Sequence, residues 1–273
     1  MSGGYRRSDG DPAALRELAG RLWSWSSRWH PGELTWLCAE HPDARLAHWR
    51  HAGRVVAWAW ARGTRLDLQL DPAHRGLLDE LLAWSGAGTV RVLDAETWLV
   101  DELLARGLQR RDDGPFFVHL RRPLDDLPPA TPLPAGYALR PADAAARAAV
   151  HSAAFSTTMS EAAYREVMRG PAYRAELDAL IVGPDGSPAA AALAWLDGRS
   201  GVAVLEPVGV HPEHRRRGLA TAAALAVLRA ARELGARDAR VCARGDDGYP
   251  APRAAYEALG FRAYARNLRL VRP

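Results

Sequence analysis

The residues Arg215-Arg216-Arg217-Gly218-Leu219-Ala220-Thr221 bring together three cations, a glycine and a small residue directly after the strand-like run Val202 to Val210. That pattern suits a diphosphate. Such an anion is held by several converging backbone N–H groups, and the first turn of a helix carries N–H groups with no intrahelical partner. Gly218 gives the loop dihedrals closed to other residues, and Ala220 leaves the first turn open to close backbone approach. The arginines direct charge at phosphate oxygens, and the helix dipole favours the same anion. Three arginines alone would describe a solvated turn. The Gly-x-Ala spacing between a strand and a helix makes the segment a binding site.

Flanking elements must aim this loop. Gly218 to Leu234 reads as a long helix closed by Gly235, with Arg229 and Arg232 in its last turns. Upstream, Tyr137 to Arg140 reads as a strand, and Ala144 to Phe155 and Glu161 to Arg169 as helices capped by Asp143 and Ser160. Strands at Ala179 to Val182 and Pro188 to Leu196 are joined by the turn Pro184-Asp185-Gly186, and Val202 to Val210 completes the meander. Downstream come a strand at Arg240 to Ala243, a helix at Pro252 to Leu259 and a strand or strand pair from Phe261 to Val271. Period-two alternation puts Glu206 on one face with Val208 and Val210. His211 and His214 read as exposed turn residues rather than metal ligands, and Cys38 and Cys242 as buried small hydrophobes.

The loop resembles the cofactor loop of the GNAT superfamily of N-acetyltransferases, Gln/Arg-x-x-Gly-x-Gly/Ala, at Arg215, Gly218 and Ala220. The run Leu205 to His214 is similar to that family's fourth strand and turn, and Tyr256-Glu257-Ala258-Leu259-Gly260-Phe261 to a second family element. The resemblance implies transfer of an acetyl group from acetyl-CoA to an acceptor, usually an amine, with no metal. It implies that Arg215, Arg216, Arg217, Gly218, Leu219, Ala220 and Thr221 hold the pyrophosphate. The pantetheine arm then pairs like a strand with the backbone of Val208, Gly209 and Val210, and the thioester lies near Cys242 and Ala243.

Direct transfer needs a neutral amine, so a base must take its proton. Glu206 is the carboxylate on this strand. It is either that base, a group that orients the acceptor, or the support of a bulge at Pro207. By the resemblance Tyr256 is the general acid toward the departing thiolate, with plain packing on the helix's apolar face as the alternative. A phenol of ordinary pKa, about 10, stands close enough to a thiol's, about 8.5, to serve. Relatives carry an asparagine seven residues earlier, where this chain has Tyr249. The rival reading is a non-catalytic acyl-CoA-binding or regulatory protein with the same fold.

A length of 273 residues fits two domains. The proline-rich stretch from Pro123 to Pro134 reads as a connector, giving domains at 1–125 and 137–273 with a linker at 126–136. The halves echo each other: Pro72-Ala73-His74-Arg75 precedes Gly76-Leu77 as Pro212-Glu213-His214-Arg215 precedes Gly218-Leu219, and Leu103 to Leu108 echoes the Tyr256 element. The first copy reads as a meander at Arg45 to Trp49, Arg54 to Trp60 and Arg65 to Leu70, followed by helix, strand and helix at Leu77 to Trp84, Val90 to Leu93 and Thr97 to Ala105. It is two residues shorter between proline and glycine and lacks the tyrosine, so no productive cofactor site is expected there. This duplication resembles tandem GNAT proteins such as mycothiol synthase. The expected fold class is α/β, with two tandem GNAT-like domains, each a mixed, mostly antiparallel sheet flanked by helices. Trp58 and Trp60 alternate on one strand and read as core packing.

All 36 basic residues are arginine, which excludes Schiff-base chemistry and a P-loop lysine. The net charge of +4, with one arginine triplet, suits a local anion site better than a nucleic-acid face. No run of about 18 apolar residues offers a membrane span, and Met1 to Asp11 carries no apolar run for a signal peptide. Two distant cysteines make no disulfide framework, so a reducing cytoplasm is expected.

Overall fold

The computed structural model describes residues 4–273. They form two compact units: unit 1 is the chain up to Leu34, His41–Val118 and Ala265–Pro273, and unit 2 is Thr35–Glu40 and His119–Tyr264. The chain therefore enters unit 2 briefly at Thr35–Glu40, changes unit again after Val118 and returns at Ala265, and the proline-rich stretch 126–136 lies within unit 2.

The first half runs β1 (Tyr5–Asp9), α1 (Pro12–Leu22), α2 (Glu33–Glu40), β2 (Arg45–His51), β3 (Arg54–Arg62), β4 (Arg65–Leu70), a 3-10 turn (Pro72–Leu77), α3 (Leu78–Ser85), β5 (Thr89–Leu93), α4 (Thr97–Ala105), β6 (Gln109–Arg111) and β7 (Phe117–Pro123). The second runs β8 (Ala138–Pro141), α5 (Ala144–Phe155), α6 (Glu161–Arg169), β9 (Asp178–Val182), β10 (Pro188–Asp197), β11 (Val202–Val210), α7 (Leu219–Glu233), β12 (Asp238–Arg244), α8 (Ala251–Ala258) and β13 (Arg262–Val271).

Unit 1 orders its strands β1-β2-β3-β4-β5-β13, with β6 also on β13. Unit 2 orders them β7-β12-β11-β10-β9-β8. Among the registered pairs, β4–β5 and β11–β12 are parallel and the rest antiparallel. Each unit is a mixed, mostly antiparallel sheet flanked by helices, as the sequence pattern predicts. The last strand of each half sits in the other half's unit: β13 lies on β5 and β7 on β12.

Helix starts follow from side chains that accept orphan N–H groups: Asp143 accepts from Ala146 and Ser160 from Ala163. In unit 1, Leu66, Leu68 and Leu70 of β4 join Val90, Val92, Leu268, Leu270 and leucines of α3 and α4 in one core. Trp58 and Trp60 are buried at 0% and 2% exposure, in keeping with a packing role. In unit 2, Ala189–Ala192 of β10 and the alanine-rich inner face of α7 are buried, and small side chains on both let helix and sheet approach closely. On the outer side of the same sheet, Trp36, Tyr164, Val167, Leu193 and Trp195 form a second cluster under α5 and α6.

Candidate active site

The parallel ladder between β11 and β12 runs from Val202↔Asp238 to Leu205↔Val241 and stops. Beyond it, the edge of β11 that faced β12 carries no strand among the described residues. Its other edge stays paired, Val208 to Ala192, Gly209 to Ala191 and Val210 to Ala190. Between Leu205↔Ala194 and Val208↔Ala192, two residues of β11, Glu206 and Pro207, face the single Leu193 of β10, which is a β-bulge. The Glu206–Pro207 peptide is cis. Trp195 fixes the bulge by donating from Nε1 to the Glu206 carbonyl at 2.7 Å. Glu206, Val208 and Val210 remain partly exposed while Pro207 and Gly209 are buried, so the expected alternation survives the bulge. Opened this way, the strand offers backbone N–H and C=O groups to an extended ligand, as a sheet edge offers them to another strand.

Gly209 is needed for a packing reason. A Cβ there would stand 2.9 Å from the Ala154 Cβ and 3.2 Å from Phe155 Cε2, so the end of α5 lies directly on this strand. The turn after β11 is a 3-10 segment at Pro212–His214, then Arg215 in an extended conformation. Arg216 and Gly218 both adopt left-handed backbones, φ 63° and 74°. These reversals carry the chain into α7, whose N-terminus has no side-chain cap. The contrast with α5 and α6 is direct: those helices satisfy an N–H group with a side chain, whereas α7, like α3, α4 and α8, starts without one.

A cavity of about 310 Å³ gathers these parts. Val208, Gly209, Val210, Arg215, Arg216, Gly218, Leu219, Ala220, Thr221 and Tyr256 all line it. Arg217 does not. Its guanidinium donates to the Tyr137 hydroxyl at 2.7 Å, which in turn meets His214 Nδ1 at 2.9 Å. His214 is thus a partly buried brace of the loop rather than an exposed turn residue, with Nε2 reaching Ser187 Oγ at 3.4 Å. His211 is also half-buried, and its Nδ1 accepts from the Glu213 N–H at 3.4 Å. Arg215 donates to the Ala154 carbonyl at 3.2 Å. Arg216 makes no hydrogen bond or ion pair among the described residues, and its charge is available at the cavity.

Tyr256 is 9% exposed, with its ring 5.9 Å from that of Phe261. Its hydroxyl has no hydrogen-bond partner among the described residues. Burial first, then the nearby Glu206 carboxylate and Cys242, push its phenol well above the ordinary value. Glu206 itself does not line the cavity, although it lies close enough for Tyr256 to feel its charge. Cys242 is exposed and Cys38 half-buried, so neither is the buried hydrophobe the sequence suggests. The reason is positional, because Cys242 follows Val241, the last residue paired to β11, and sits where the strands part. Tyr249 lines the cavity at 49% exposure. Its loop is fixed by Asp246, which accepts from Arg244 Nε and the Gly248 N–H, both at 2.8 Å. Sequence reasoning missed Tyr137, Ala154 and Phe155. Only the proximity of β8 and α5 to the loop reveals them, and no motif carries them.

Residues 148–261 match the model of the Acetyltransferase (GNAT) family. No curated protein matches the chain. Among solved structures, a GCN5-related N-acetyltransferase from Sphaerobacter thermophilus aligns with TM-score 0.63 at 19% identity, covering 100% of this chain and 98% of its own. A tandem GNAT protein from the clavulanic acid biosynthesis pathway aligns with TM-score 0.64 at 19% identity over 97% of both chains. A GNAT-family acetyltransferase from Colwellia psychrerythraea gives TM-score 0.67 at 14% identity, over 98% of this chain and all of its own. At such identities these likenesses speak for the fold, and they span both halves. The chain has the tandem GNAT fold, and its residues 148–261, which hold the splayed strand and the uncapped helix, match the acetyltransferase (GNAT) family.

Proposed function

We propose that the second half, residues 137–273, is an acetyl-CoA-dependent N-acetyltransferase acting on the amine of a small-molecule acceptor by direct transfer. The observation that carries this reading is one cavity joining the open edge of Val208–Val210 to the uncapped start of α7. The first suits the amide groups of a pantetheine arm, and the second a pyrophosphate. Bound acetyl-CoA supplies a thioester carbonyl as electrophile. The chain then has two tasks, to take a proton from the amine and to hold one at the leaving sulfur. Glu206 stands on the bulge for the first, directly or through water. Tyr256 serves the second, because its unpartnered hydroxyl keeps its proton at neutral pH and points to an acceptor the chain itself does not provide. Arg216 adds charge toward phosphate, while Arg217 acts through Tyr137 on the shape of the loop.

In this reading residues 1–125 form a degenerate copy that shapes the protein without turnover, and 126–136 link it to the catalytic domain. No helix is long and apolar enough to cross a membrane. Both cysteines are free thiols, which accords with a reducing, cytoplasmic setting. The test is release of CoA thiol from acetyl-CoA across a broad amine panel. Amine-dependent release is expected for at least one class. Tight acetyl-CoA binding with no release from any amine would instead favour a binding or regulatory protein.

A further inference from the structure

The turn ahead of α7 holds an imidazole in a chain of hydrogen bonds whose directions are fixed. Arg217 can only donate, so the Tyr137 hydroxyl oxygen accepts from its Nη1 at 2.7 Å. At the far end Ser187 Oγ gives its proton to the Asp185 carboxylate at 2.6 Å. Ser187 therefore accepts from His214 Nε2, 3.4 Å away, and the neutral ring carries its proton there. Nδ1 is left bare and receives the Tyr137 hydroxyl proton across 2.9 Å. A Cβ at Gly183 would stand 3.1 Å from both Asp185 Oδ1 and His214 Cε1, so the turn between β9 and β10 packs directly on the ring.

The same frame accepts a second proton. Once Nδ1 is protonated it donates to the Tyr137 oxygen, whose other lone pair keeps Arg217, and the Tyr137 proton turns away. No heavy atom has to move, so the charges around the ring decide its state. Asp185, whose carboxyl is held low by Ser187 and then by His214, favours the imidazolium, as does Glu213 beside it in the chain. Arg217, with Arg215 and Arg216 following His214 directly, opposes it, and so does the positive end of α7. His211 stands 5.7 Å away between ring centroids and adds a second titratable imidazole. His214 lines the cavity together with Arg215, Arg216, Gly218 and Ala220. Two negative charges arriving among these residues would reverse the local balance.

Resting on the reading that this cavity takes a diphosphate, we infer that His214 binds a proton as the diphosphate enters, so that the imidazolium joins Arg216 as a cation of the site and cofactor binding is proton-coupled. An opposite charge within about 4–6 Å makes an imidazolium about tenfold or more easier to form, and by linkage a lower pH then tightens binding. Calorimetric titration of the full chain with 3′-dephospho-CoA tests this. A phosphate monoester itself titrates near pH 6, and this probe carries only the diphosphate. At pH 7, in buffers of different ionisation enthalpy, binding should take up protons. Affinity should rise about threefold or more from pH 7.5 to pH 6. His214→Gln, which keeps a donor for Ser187 and cannot be charged, should bind the probe without either effect, whereas His211→Gln should keep both. Should the His214→Gln variant fold poorly, the His214 ring resonance of isotope-labelled wild-type protein decides, because its titration must move to higher pH on binding. Absence of binding at either pH would remove the loop reading and this inference with it. Binding with equal affinity at both pH values and no proton uptake, or uptake unchanged in folded His214→Gln, would overturn the inference alone.

Discussion

Replacing Tyr256 by phenylalanine removes one oxygen from a site where the protein makes no use of it. The ring is buried against Phe261, and the hydroxyl has no partner among the described residues. Its loss orphans no donor or acceptor, so stability should change by no more than about 0.5 kcal/mol. In the proposed reaction the same hydroxyl donates to a sulfur that is gaining negative charge. A hydrogen bond to a charged group contributes about 1.5–3 kcal/mol, which corresponds to about 10- to 150-fold in kcat. The two readouts therefore separate a packing tyrosine from an acting one. The assay is thiol release with acetyl-CoA and an accepted amine, run beside urea unfolding of the same preparations. Acetyl-CoA affinity should hardly move. Because burial and Glu206 raise the phenol's pKa, the wild-type rate should show no descending limb from this group below about pH 10. An unaltered kcat, or a rate loss matched by a loss of stability, would refute the reasoning.

Gly218→Trp puts a large side chain on a left-handed residue, φ 74°, at the mouth of the cavity, with open space around the missing Cβ. It should abolish acetyl-CoA binding for about 1–2 kcal/mol of stability; retained affinity by calorimetry would remove the loop assignment. Gly209→Ala should cost about 1–3 kcal/mol and weaken acetyl-CoA binding together, because the end of α5 must move off β11; unchanged thermal midpoint and affinity would show that α5 yields freely. Acid should act on His151, which lies between the rings of Trp36 and Phe155 with Nδ1 buried and unbonded. Burial, then Arg147, depress its imidazole to about 4. The folded state keeps this ring neutral while the unfolded chain protonates near pH 6.5, so stability present above pH 6.5 is lost as pH falls toward 4. The fall in unfolding free energy from pH 7 to 4.5, measured in urea, should shrink in His151→Phe by up to about 2 kcal/mol; an equal fall in both proteins would exclude His151.

Much of unit 2 was legible because its signals are local. Asp143 and Ser160 announce α5 and α6 by cap chemistry, and both helices keep their predicted bounds. The run Val202 to Val210 reads as one strand and is one. In the first half, β1, α1, α2, β6 and β7 went unread. Their positions depend on tertiary pairing, as when exposed Gln109–Arg111 pairs with β13. The destination of β13 in unit 1 is likewise invisible, since period-two alternation says which face a residue takes and not which sheet. At the site, backbone-driven features were readable, because Gly218 and the helix start announce themselves by residue type. The side-chain directions were not. Nothing in Arg215-Arg216-Arg217 tells which arginine reaches the cavity, and the answer depends on Tyr137 capturing Arg217.

The two halves differ most where their parallel strands part. In unit 1 the β4–β5 ladder holds only Arg65↔Thr89 and Leu66↔Val90 before it ends. The edge that this frees is covered, since Trp29 donates from Nε1 to the Leu68 carbonyl at 3.0 Å and its ring packs 5.4 Å from that of Trp58. The following helical turn is closed as well. Asp71 accepts from the Ala73 N–H at 3.0 Å and pairs with Arg21 at 2.6 Å, so a carboxylate stands where an uncapped turn would receive a phosphate. In unit 2 the residue matching Asp71 is His211, which likewise accepts from the Glu213 N–H but carries no carboxylate, and Val208–Val210 opens on the cavity. Unit 1 thus covers from its own side chains a strand edge that unit 2 leaves open, and puts a carboxylate where unit 2 has an imidazole. Acetyl-CoA should therefore bind with a stoichiometry of one per chain. A second equivalent, seen by calorimetry and retained in Gly218→Trp, would mean that Trp29 and Asp71 give way to the cofactor.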